Sequence, residues 1–69
     1  MAKYTGPLLE ALITKLEGDI AVAKANVNVY TSNAAGIGEH SDIVETIEAQ
    51  ISKIAEANDK IETIRKYFT

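Results

Sequence analysis

Apolar residues recur along the first half of the chain in alternating steps of four and three. Leu9, Ile13, Leu16, Ile20, Ala23, Val27, Tyr30 and Ala34 form this row without a slip. Such spacing is the seam of a helix that packs lengthwise on another helix. The second half carries a comparable row of Val44, Ile47, Ile51, Ile54, Asn58, Ile61, Arg65 and Phe68, with Ile43 and Ile64 beside it. Between the two rows lies Ala34-Ala35-Gly36-Ile37-Gly38-Glu39. Gly36 suits the left-handed residue that ends a helix, and Gly38 allows a second turn. Ile37, the apolar residue between them, is expected to plug the closed end of the fold.

The start signals agree with this division. Thr5 or Gly6 can cap a helix, and Pro7 fits its first turn, where the missing N–H costs nothing. A second start is expected near Ser41 or Asp42. Asp42 and Glu45 have the spacing of a capping box, and acids suit a first turn. Asn26 to Thr31 alternates as a strand would. A strand there has no second strand to pair with, and the heptad runs straight through it, so helix is the expectation.

The predicted fold is therefore all-α: a single domain over residues 1–69, an antiparallel two-helix hairpin with helices at about 7–33 and 41–67. Folding at Ile37 sets Tyr30 opposite Val44, Val27 opposite Ile47, Ala23 opposite Ile51 and Ile20 opposite Ile54. Leu16 then faces Asn58, Ile13 faces Ile61 and Leu9 faces Arg65. Each helix would be roughly 40 Å long at about 1.5 Å per residue.

More apolar residues remain than one helix pair can cover. Leu8, Leu12, Val22, Val29, Ile43 and Ile64 lie outside the seam and form the expected oligomer interface. Short chains bury little surface and often depend on staples or partners. Two-fold pairing into a four-helix bundle is the simplest cover, since dimers are the commonest symmetric oligomers.

Composition narrows the function classes. No cysteine is present, so disulfides and thiolate-bound metals are excluded. A formal net charge of −3 argues against a nucleic-acid partner, which calls for a basic face. No apolar run approaches the roughly 18 residues of a membrane span, and the N-terminal stretch lacks a signal-peptide core. The expectation is a cytoplasmic, soluble protein with neither membrane nor nucleic acid as partner.

Candidate chemistry is sparse. His40 stands among Glu39, Asp42 and Glu45, where a divalent cation is conceivable. A solvated loop and helix start is the preferred account, and no metal or cofactor is expected. Asn58 in the seam either fixes register, as a buried amide can, or yields the inner place to Ala57. Tyr4, Tyr67 and Phe68 are expected to meet at the open end as ordinary end-packing rather than as a base-stacking platform. One histidine with scattered serines and threonines suggests no nucleophilic site, so catalytic residues are expected to be absent.

Two stretches, Gly18-Asp19-Ile20-Ala21-Val22-Ala23-Lys24-Ala25-Asn26 and Gly36-Ile37-Gly38-Glu39-His40, resemble a family of small uncharacterised proteins of T4-like tailed phages, notably those of marine cyanobacteria. In that pattern a proline often follows the histidine; here Ser41 stands there, which alters only how the second helix begins. The resemblance implies no activity and no site residue. It implies expression in the cytoplasm of an infected bacterium. The function expected is that of a non-enzymatic, self-associating accessory or structural protein. The competing expectation is an adaptor or inhibitor that docks its apolar face on a host or phage protein.

Overall fold

A computed structural model describes residues 6–32 and 41–68, and among these the chain forms two α-helices. Helix α1 spans Pro7–Ser32 and helix α2 spans Ser41–Tyr67. Gly6 caps the first. Its φ of +99° lies where a side chain would be strained, and its carbonyl accepts the Glu10 N–H at 3.2 Å. Of the two candidate caps, glycine serves, and Pro7 occupies the first helical position. Helix α2 already includes Ser41, so Asp42 sits within the first turn instead of capping it. Its carboxylate there still favours the positive end of the helix dipole.

The Asn26–Thr31 alternation is helical, as expected. Near the end of α1 the Thr31 and Ser32 hydroxyls donate back to the carbonyls of Val27 and Asn28, at 2.8 and 2.6 Å. Side chains that could have competed with the helix are thus folded onto it. The expectations for Gly36, Gly38 and the Ile37 plug fall on residues 33–40, outside the described residues.

The helices pack along their length in a rod of 49 × 15 × 15 Å. Every described residue of the expected α1 seam is buried or half-buried: Leu9, Ile13, Leu16, Ile20, Ala23, Val27 and Tyr30. Ile13 and Leu16 form one cluster with Ala57, Ile61 and Ile64, against which Leu9 and Ile20 pack. The register also agrees with the expected layers. The Asn26 amide donates to the Gln50 carbonyl oxygen at 3.1 Å, which falls between the Val27/Ile47 and Ala23/Ile51 layers.

Helix α2 differs from the expectation by a rotation. Its inward residues are Ile43, Ile47, Gln50, Ile54, Ala57, Ile61 and Ile64, all buried or half-buried. Val44, Ile51, Asn58, Arg65 and Phe68, expected in the seam, are exposed. Val44 is 71% and Ile51 49% exposed, whereas Ala57 is 4% and Ile64 6% exposed. The reason is electrostatic. Two heptad phases share Ile47, Ile54 and Ile61. The expected one adds Val44, Ile51, Asn58 and Arg65 to the interior; the observed one adds Ile43, Gln50, Ala57 and Ile64. A guanidinium taken out of water costs several kcal/mol unless fully paired, so two exposed aliphatic residues are the smaller penalty. Arg65 instead reaches Glu17 of α1 from the surface, at 3.8 Å.

Candidate functional site

The hairpin covers α1 on one side only. Apolar residues of this helix extend well beyond the seam, with Glu10, Glu17 and Lys24 forming a charged line on one flank, and only Ile13, Leu16 and Ala23 of it are buried. An apolar stripe wider than one neighbouring helix can cover leaves a remainder in water. Leu8 is 86% and Val22 62% exposed, and Leu12 and Val29 are exposed as well. Leu8, Val22 and Val29 are separated by multiples of seven residues and therefore lie on one line along the helix, with Lys15 between Leu8 and Val22. Four of the six expected interface residues thus stand uncovered.

The other two do not. Ile64 lies inside the hairpin core and cannot serve an outside partner. Ile43 is half-buried. Both follow from the rotation of α2, which turns these isoleucines inward. The same rotation brings out Val44 and Ile51, on the flank marked by the Arg65–Glu17 pair, since both lie on the line of Arg65.

The opposite flank holds a groove of about 350 Å³. Leu16, Val22, Ala23, Gln50 and Ala57 line it, with Asp19, Lys53, Glu56 and Lys60 around them. Its origin is local. Ala23 and Ala57 are two small side chains within the seam, so the space that a leucine would fill stays open. The charged rim is largely satisfied by its own helices. Lys15 pairs with Asp19 at 2.8 Å and Lys60 with Glu56 at 3.4 Å, both four residues apart on one helix. The latter is the pairing order that favours a helix. Such a groove can accept an apolar side chain.

Gln50, 8% exposed, is the buried polar side chain of the seam. Its bond to Asn26 satisfies part of its amide and removes the desolvation penalty of a lone buried polar group. The sequence reading missed this pair because it assigned the inner place to Ile51. Asn58, the amide that it did single out, points to solvent.

Tyr67 and Phe68 are more than half exposed at the open end, and the Lys66 ammonium lies 5.4 Å from the Tyr67 ring centroid. Tyr4, His40 and Glu39 fall outside the described residues, as do the expectations that rest on them. Among the described residues no three carboxylate or imidazole side chains come together as a metal site would require. Among the described residues no helix is long and apolar enough to cross a membrane. Comparison with protein-family models, with curated proteins and with solved structures finds no match to the chain.

Proposed function

We propose that the protein acts without catalysis, as a helical hairpin that self-associates through the uncovered side of α1 and serves as an accessory or structural component of a tailed phage. The phage setting is taken from the resemblance of its two glycine-containing stretches. The self-association is carried by one observation: Leu8, Val22 and Val29, on a line that Lys15 interrupts and Leu12 flanks, stand in water on a helix whose seam side is already packed.

The surface area agrees with this reading. The chain exposes 4844 Å², against roughly 4,250 Å² for a folded monomer of its mass. The excess of about 600 Å² is close to what each partner loses in a small stable interface. Burying it would add a second apolar layer to a hairpin that has only one.

Sedimentation equilibrium together with thermal melting tests the proposal. The expected result is a dimer or larger even oligomer at micromolar concentration, with a melting temperature that rises with concentration, as mass action requires. A stably folded monomer over that range overturns it. A loosely helical monomer that folds only on another protein also overturns it, in favour of the adaptor reading.

A further inference from the structure

Resting on the self-association just proposed, we infer that the second copy lies lengthwise on the groove-bearing side of the hairpin, so that α1 and α2 of each copy both contribute and each groove takes an aliphatic side chain of the other copy. The distribution of apolar residues, the balance of charge and the shape of the rod select this side.

The two long sides of the hairpin are told apart by their contacts. The Arg65–Glu17 pair marks one. The groove, with Asp19, Val22, Lys53, Glu56 and Lys60 around it, marks the other. Residues separated by multiples of seven share a line along a helix. The groove side therefore also carries Leu12 on the line of Asp19, Leu8 and Val29 on the line of Val22, and Tyr67 on the line of Lys53 and Lys60. Leu8, Leu12, Val22, Val29 and Tyr67 are all exposed large apolar residues, against Val44 and Ile51 on the Arg65 side. Most of the apolar surface that stands in water is thus gathered on one side, and it comes from both helices.

Charge points the same way. On the groove side Lys15, Lys53 and Lys60 stand with Asp19, Glu56 and Asp42, the last on the line of Glu56, which makes three bases against three acids. The remaining charges of the described residues are Glu10, Glu17, Glu45, Glu48, Asp59 and Glu62 against Lys24, Arg65 and Lys66, six acids against three bases. The whole acidic excess of the helices therefore lies off the groove side. A second copy of this acidic chain meets no net repulsion there and meets it on the other surfaces. A strongly charged partner finds no complementary field on this neutral side.

Shape sets how the copies lie. The excess surface of roughly 600 Å² is too large for an end of the rod, 15 × 15 Å across, and fits a side 49 Å long. The groove sits near mid-length, between residues 16–23 of α1 and 50–60 of α2. A two-fold contact centred there lets each copy give what it receives, and the space left by Ala23 and Ala57 takes the incoming side chain.

The absence of cysteine allows a direct test. Val22→Cys, Ala25→Cys and Ile51→Cys place one thiol each on the groove side, the back of α1 and the Arg65 side, and all three positions are exposed in the single hairpin. Alkylation of each full-length variant by iodoacetamide is timed at chain concentrations below and above its dimer dissociation constant, with circular dichroism to confirm helicity. At about fifty times that constant roughly a tenth of the chains are monomeric, so Val22→Cys is expected to react about tenfold more slowly there than in dilute solution. Ala25→Cys and Ile51→Cys are expected to react at unchanged rates. Protection of either of these, or none at Val22→Cys in a chain that sediments as a dimer, overturns the groove-side contact and leaves self-association standing. A wild-type chain that sediments as a monomer overturns both.

Discussion

Ile64→Ala is expected to lose about 2–3 kcal/mol of stability, the lower part of the usual range for truncating a buried isoleucine to alanine, whereas Ile51→Ala is expected to lose less than about 0.5 kcal/mol. The two residues are of the same type, on the same helix, and differ in which way they face. Ile64 packs into the cluster with Ile13, Leu16, Ala57 and Ile61; its loss leaves a cavity in a core of few members. Ile51 is half exposed, and alanine's better helix propensity offsets part of what it buries. A domain of this size has about 3–5 kcal/mol to lose, so Ile64→Ala should melt near room temperature and Ile51→Ala should melt like the parent. Far-UV circular dichroism during heating reads both. Reversal of the order would restore the rejected phase of α2, with Val44, Ile51 and Arg65 inside.

Val22→Lys is expected to weaken self-association roughly hundredfold while leaving the hairpin helical, a change of about 2.8 kcal/mol at 1.4 kcal/mol per decade. Val22 is exposed in the single hairpin, so a lysine there keeps its ammonium in water and disturbs the fold little. Between two copies the same lysine would have to be desolvated. Sedimentation equilibrium measures the dissociation constant, and circular dichroism above that concentration checks that helicity is retained. Unchanged association would remove Val22 from the interface.

Much of the fold could be read from the chain because its signals reinforce one another. The start at Gly6-Pro7, the unbroken seam from Leu9 to Tyr30 and the start at Ser41 each agree with the observed helices to within a residue or two. The register was legible from the shared residues Ile47, Ile54 and Ile61, which stay inward whichever way α2 is turned. The same three residues are why the rotation of α2 was not legible from apolar spacing alone. Val44 and Ile51 make one phase look as greasy as Ile43 and Ile64 make the other. The deciding signal was present in the polar residues: Arg65 cannot be buried cheaply, and Gln50 has Asn26 to bond. Weighing the charged member of each row above its aliphatic members would have found it.

The candidate surface was legible where it belongs to α1 and misread where it belongs to α2. Leu8, Leu12, Val22 and Val29 are exposed because α1 offers more apolar residues than one neighbour can cover. Ile64 was assigned outward only as a consequence of placing Arg65 inward.

Isotope-filtered NMR of a sample mixed from labelled and unlabelled chains tests the hairpin most directly, because it separates contacts within one chain from contacts between copies. Intramolecular methyl contacts from Ile61 to Ile13 and Leu16, with none from Ile51 to α1, are the predicted result. Contacts of Ile61 to α1 that are purely intermolecular, as from two exchanged or extended chains, would contradict it.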